Sequence, residues 1–170
     1  MNFEKPNTVA VRADNSNDKT YPPGKPQEQL DFTYFGGIYR DAWLITHNHT
    51  YVTHSTAAEK VAGGGVFVHY ENLSEKSVDV FVDVDVKNEG KKKTVFVQLD
   101  LLDSDGNAVA SSVNEYQLPK NNAVQTNAEF TVPNPKLWRP DNPQLHDLRV
   151  SLKNKRGYVL DTFIKRIGIR

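Results

Sequence analysis

Few residues in this chain are of a type and spacing that could do chemistry. Asp31 heads the run Asp31-Phe32-Thr33-Tyr34-Phe35-Gly36-Gly37-Ile38-Tyr39-Arg40-Asp41-Ala42-Trp43-Leu44-Ile45. A carboxylate set among aromatics can accept several hydroxyl hydrogen bonds, each stronger than a neutral acceptor would make. Gly36 and Gly37 supply positive φ and close backbone approach at a loop-to-strand pivot. Arg40 and Asp41 are expected to form ion pairs and hydrogen bonds that orient this strand against a neighbouring domain, and Trp43 to pack in a core or between domains. His47, His49 and His54 form H-x-H-x4-H. On a strand the first two would share a face, as a metal site needs. No nearby acid or cysteine completes such a set, so a solvated edge strand is the preferred reading and no metal is assigned. Serine-triad, P-loop and dinucleotide motifs are absent.

Composition narrows the function classes. In 170 residues Lys plus Arg equals Asp plus Glu, so the formal net charge is zero. No global field favours nucleic acid or an anionic membrane, and neither is expected as a partner. Lys91-Lys92-Lys93 follows the turn-like Asn88-Glu89-Gly90 and reads as a solvated loop. There is no cysteine, which excludes disulfides and thiolate metal sites. No apolar run approaches the ~20 residues of a membrane span. No leader pattern follows Met1, and the chain enters a strand pattern almost at once, as if cut from a longer protein.

The elements that must position these residues read as strands. Residues 8–13 alternate and end in the polar cluster Asp14-Asn15-Ser16-Asn17-Asp18, and Pro22-Pro23-Gly24-Lys25-Pro26 reads as an extended loop. Residues 38–46 form a further strand pattern. Residues 55–65 are small and glycine-rich, a plausible crossing between domains. Residues 78–86 read V-D-V-F-V-D-V-D-V, placing valines on one face and Asp79, Asp83 and Asp85 on the other, toward solvent. Residues 66–70, 94–102, 107–110, 126–132, 147–152 and 159–164 supply further strands, with turns at Asp105-Gly106 and Asn154-Lys155-Arg156-Gly157. About seven short strands at this spacing predict an all-β, immunoglobulin-like β-sandwich. The division expected is residues 1–57 and 58–170.

Three motifs carry a resemblance. The Asp31–Arg40 run resembles the "D-F-x-Y-x-G-I-x-R" motif that ends the first sandwich of glycoside hydrolase family 2, the family of β-galactosidases, β-glucuronidases and β-mannosidases. Pro133-Asn134-Pro135-Lys136-Leu137-Trp138-Arg139-Pro140, then Asn142-Pro143-Gln144-Leu145, is similar to the "NP-x-LW-x-P … P-x-L" signature late in its second sandwich. Gly168-Ile169-Arg170 is similar to the "G-F/I-R" that leads into its catalytic barrel. The resemblance, closest to a β-galactosidase, implies that residues 1–57 are the last strands of a jelly roll and that the catalytic barrel is the partner of both domains. It implies that Asp31 contacts hydroxyls of a β-linked sugar at the barrel mouth in the intact enzyme, directly or through a monovalent or divalent cation; no other cofactor is implied. Gly36, Gly37, Arg40 and Trp138 then hold structural places, Trp138 as a packing anchor between prolines. Asn114-Glu115 imitates the family's acid/base pair, but it lies in the sandwich, and retaining hydrolysis needs two carboxylates ~5–5.5 Å apart. Glu115 is therefore assigned no catalytic role, and the chain itself no hydrolysis.

Two rival readings stay open: a free-standing carbohydrate-binding module, and an immunoglobulin-like adhesion or scaffold module. Unpaired edges of the first segment invite a second copy of the chain. For the parent, a periplasmic or secreted location is favoured over the cytoplasm.

Overall fold

The computed structural model describes residues 4–20, 24–32, 35–61 and 63–170. Thr33 and Tyr34 of the Asp31 motif, and Pro22 and Pro23 of the proline-rich stretch, lie outside the described residues. The chain divides into two compact units, Met1–Ile45 and Thr46–Arg170.

The second unit is an all-β sandwich of antiparallel ladders, as its alternating sequence predicts. Its strands are β1 (Thr50–Val52), β2 (Val66–Glu71), β3 (Ser77–Asn88), β4 (Lys93–Leu102), β5 (Ala108–Leu118), β6 (Asn122–Pro133), β7 (Trp138–Arg139), β8 (Asn142–Pro143), β9 (His146–Lys153) and β10 (Val159–Ile167). In the first sheet β6 runs along the whole of β3 on one side. On the other side β2 pairs with Asp79–Val84 and β1 with Val86–Asn88, end to end. The second sheet has the order β5-β4-β9-β10, and β7 and β8 form a small ribbon of their own.

Period-two alternation turns one residue set from each strand inward. Val78, Val80, Val82, Val84 and Val86 of β3 are almost wholly buried, as are Val95, Val97, Leu99 and Leu101 of β4 and Leu148, Val150 and Leu152 of β9. Each such side chain contributes about 1.5–3 kcal/mol relative to exposure. β-Branched valine suits the central strand because its restricted χ1 fits the pleated surface.

The outward row of β3 is less open than its sequence suggests. Asp79 accepts hydrogen bonds from Asn72 (2.8 Å) and Thr131 (2.7 Å), Asp83 accepts one from Asn127, and Asp85 is buried in an ion pair with Lys60. The segment carrying Lys60 arches over this face between β1 and β2. It turns back at Gly65, where φ is +64° and a Cβ would lie 2.9 Å from the Ser55 backbone nitrogen. Only glycine meets both demands. On the second sheet Asp100 is buried on the outer face. Burial pushes its carboxyl up, but hydrogen bonds from Ser111, Gln98 and Arg149 outweigh that and hold it below the usual carboxylate range. The Arg149 pair spans 3.0 Å.

The first unit differs from expectation. Residues 8–13 and 38–46 carry no ladder, Arg40 sits in a bend, and the unit's one regular element among the described residues is the 3₁₀ turn Gln27–Gln29. A strand is held by its neighbours, and these segments find none among the unit's described residues. Thr50–Val52, read as part of the first segment, pairs instead with β3. In the polar cluster Asp14 accepts from Ser16 and from Arg12 (2.6 Å) and Asp18 accepts from Thr20, while the turn itself lies just beyond it at Lys19–Thr20.

His146 opens β9 buried, and its Nδ1 has no hydrogen-bond partner among the described residues. Burial pushes its imidazole below the ordinary 6.5; Lys136 acts in the same direction and Asp103 against it. The unfolded chain then takes up a proton near 6.5 while the folded one resists until lower pH. Stability should therefore fall as pH drops from about 6.5 toward the lower folded value. Melting temperatures taken between about pH 7 and pH 5 should drop less steeply for His146→Leu than for the wild type. Equal slopes would remove His146 as the cause.

Candidate functional site

One corner of the sandwich gathers the two late motifs. Trp138 stands in the two-residue β7, set by the prolines around it, and its backbone N–H donates to the Ile169 carbonyl at 2.8 Å. Gly168 lies against the indole: a Cβ there would meet Trp138 side-chain atoms at 3.0 Å. The Arg170 guanidinium sits 5.3 Å over the same ring, a cation–π contact. Ile169, between them, is fully buried and ties the corner to the core. Segments some thirty residues apart in sequence are thus locked together by one backbone hydrogen bond and one ring.

Beside this corner runs an open groove of about 360 Å³ with Phe67, Tyr70, Trp138, Leu145, Lys165 and Arg170 among its walls. Its lining joins three aromatic side chains, Phe67, Tyr70 and Trp138, to two cationic ones, Lys165 and Arg170. Burial raises the Tyr70 phenol, and Arg170 partly opposes it. Tyr70 therefore remains a neutral donor beside the Arg170 charge. Lys165 is anchored on the Val66 carbonyl. Such a surface can seat a neighbouring element of apolar and acidic character. Among the described residues that line it there is no carboxylate. Tyr70 and Lys165 were not singled out from the sequence. Tyr70 could have been noticed as an aromatic among inward-facing residues of an alternating strand.

In the first unit, Asp31 is exposed in a bend just after the 3₁₀ turn, whose last hydrogen bond runs from the Leu30 N–H to the Gln27 carbonyl at 3.1 Å. Its carboxylate has no partner among the described residues, so its acceptor capacity is open. Gly37 has φ +98°, whereas Gly36 serves close approach: a Cβ there would fall 2.5 Å from the Asn15 side chain. Arg40 lies over the Tyr39 ring at 5.4 Å and makes no ion pair with Asp41 among the described residues. Trp43 is largely exposed, not packed in a core.

The histidines are put to separate local uses. His47 stacks on Tyr51 with ring centroids 3.5 Å apart, and His54 bonds the Thr56 hydroxyl at 2.8 Å. Among the described residues no group of three or more His, Asp or Glu could hold a metal ion. Glu115 stands exposed on β5 with Phe96 opposite it in the ladder, so no second carboxylate faces it there.

Residues 64–170 match the sequence profile of the glycosyl hydrolases family 2. The chain is 28% identical to a β-glucuronidase of Formosa agariphila over its full length and 18% of that protein. It is 26% identical to a β-galactosidase of Thermoanaerobacter pseudethanolicus, over 99% of this chain and 20% of that one. The crystal structure of a Bacteroides uniformis β-glucuronidase superposes with a TM-score of 0.79 at 25% identity, over 93% of this chain and 18% of the other. The chain spans about a fifth of the length of these relatives.

Gly168→Ala tests the corner. The added methyl must displace the Trp138 ring, and overpacking of this kind costs about 1–3 kcal/mol. In a Trp43→Phe background the remaining tryptophan emission should shift and the urea midpoint should fall. Unchanged emission and midpoint would mean that the two motifs do not lean on each other.

Proposed function

Since the chain belongs to glycosyl hydrolase family 2, we propose that it is the non-catalytic β-sandwich portion of a β-glycosidase, one that braces a catalytic barrel and lends Asp31 to its sugar site. The parent hydrolyses O-glycosidic bonds, with the reacting carboxylates assigned to the barrel. The observation that carries this reading is the corner where Trp138, Gly168 and Arg170 lock together beside a groove lined by aromatic and cationic side chains. A rigid corner with such a groove suits an interface that must hold one domain against another, because groups ordered in advance lose little entropy on docking.

Asp31 suits the second role for a different reason. Its exposed carboxylate is unspent within its own unit, and an ionised acceptor binds a sugar hydroxyl more strongly than a neutral one. A monovalent or divalent cation beside Asp31 would be held mainly by groups of the barrel, since among the described residues no group of three or more His, Asp or Glu could hold a metal ion. The action is thus one of binding and orientation. The proton transfers and the nucleophile belong to the barrel, where two carboxylates ~5–5.5 Å apart carry retaining hydrolysis.

Two variants of the full-length enzyme separate the roles. Asp31→Asn should lower kcat/KM by roughly 10- to 150-fold, the worth of a charge-assisted hydrogen bond of about 1.5–3 kcal/mol, with little change in melting temperature. Trp138→Ala should do the reverse, lowering the melting temperature more than it lowers turnover. Wild-type kinetics for Asp31→Asn would end the claim for that residue. An unchanged melting temperature for Trp138→Ala would end the bracing reading.

A further inference from the structure

The far end of the second sheet carries a feature that the bracing role does not use. The ladder places Lys153 beside Val159 and Phe96, whereas His146 pairs with Ile167 at the other end of β10. Nine residues of β10 separate the two ends, roughly 25–30 Å at ~3.3 Å per residue. At the Val159 end, the start of β4 and the β9–β10 turn border an open groove of about 430 Å³. Lys93, Lys155 and Arg156 line it together with Tyr158, Thr94 and Asn154, and among the described residues that line it there is no carboxylate. In a chain of zero net charge this is a local concentration of positive charge.

Both walls are fixed by their own hydrogen bonds. Asn88 is fully buried, and its amide donates to the carbonyls of Lys91 (3.0 Å) and Pro119 (2.7 Å), while its Oδ1 accepts from the Gly90 N–H at 3.2 Å. The lysine run therefore leaves a pinned turn, and Lys93 reaches the Thr50 hydroxyl at 2.9 Å. Across the groove, Asn154 Oδ1 accepts the N–H groups of Arg156 (2.9 Å) and Tyr158 (3.1 Å), and the Asn154 N–H donates to the Tyr158 carbonyl at 2.9 Å. This turn holds Arg156 and Tyr158 outward, the tyrosine two-thirds exposed.

We propose that this groove binds a segment of an anionic polysaccharide, its acid groups carboxylate or sulfate. Arg156, Lys155 and Lys93 would pair with the acid groups; the planar guanidinium suits a two-oxygen acid group in particular. The Tyr158 ring would lie against the C–H face of a sugar ring, and Asn154 and Thr94 offer hydrogen bonds to hydroxyls. Walls ordered before binding limit the entropy lost when the chain is captured. The site stands at the end of the sandwich opposite the Trp138 corner, so it would hold polymer away from the reacting bond. The proposal rests on the glycosidase reading for its choice of a saccharide over other polyanions.

Affinity electrophoresis of the 170-residue chain tests it, with polygalacturonate, dextran sulfate, neutral dextran and a single-stranded oligonucleotide as separate probes. At least one of the two acidic glycans should retard the protein and neutral dextran should not; the tighter of the two identifies the acid group. Arg156→Ala and Tyr158→Leu should each weaken that binding by about tenfold or more. Both residues are exposed in a turn, and unchanged circular dichroism would show the fold intact. The proposal is overturned if neither acidic glycan binds, if both variants bind as wild type does, or if the oligonucleotide binds as tightly and ignores Tyr158→Leu. The bracing reading is judged by the melting of Trp138→Ala, so failure of one leaves the other standing.

Discussion

Everything in the second unit hangs on the inward row of β3. Five valines at alternate positions are buried against the apolar rows of β4 and β9, and β3 alone is hydrogen-bonded to three other strands, β1, β2 and β6. A one-residue slip in its pairing would turn Asp79, Asp83 and Asp85 into the core and the valines out. Burying unpaired carboxylates there would cost far more than any local adjustment could return. The register of the first sheet is therefore tightly specified, and with it the positions of the two ends of the sandwich.

Buried polar groups then fix what the apolar seam leaves free. Asn88 pins the lysine turn, Asp85 ties down the arch through Lys60, and Asp100 draws Ser111, Gln98 and Arg149 into one network across β5, β4 and β9. Each is placed where a loop or an outer face would otherwise be loosely defined. Buried polar groups that are fully hydrogen-bonded rigidify their surroundings. The result is a scaffold with ordered surfaces at opposite ends. One end carries the Trp138 corner, which joins the family's late motifs, and the other carries the basic groove.

The sandwich was legible in the sequence because its strands alternate cleanly. The V-D-V-F-V-D-V-D-V run and the Asp105-Gly106 and Asn154–Gly157 turns lie where period and turn chemistry place them. β5 is longer than read, since residues 111–117 put small and polar side chains on a half-buried edge strand and so blur the alternation. The histidine segment does hold a short strand, β1, but its partner β3 was not legible, because three residues carry too little pattern to fix a ladder. Strand propensity at 8–13 and 38–46 misled for a related reason: propensity without a partner strand does not make sheet. Of the candidate sites, Trp138 and Gly168-Ile169-Arg170 were visible as motifs, but their contact was not, since nothing local links positions so far apart. The joining of Lys93 with Lys155 and Arg156 was equally invisible, being a product of the β4–β9–β10 register.

The central claim is that residues 46–170 form a self-supporting sandwich organised on β3. Native-state hydrogen exchange read amide by amide tests it most directly. The amides of β3, β4 and β9 should exchange only through global unfolding, with one common free energy, while those of residues 4–45 exchange through local opening at much lower cost. Protection in residues 4–45 equal to that of β3, or β3 amides opening more easily than those of the edge strands β5 and β10, would contradict the account.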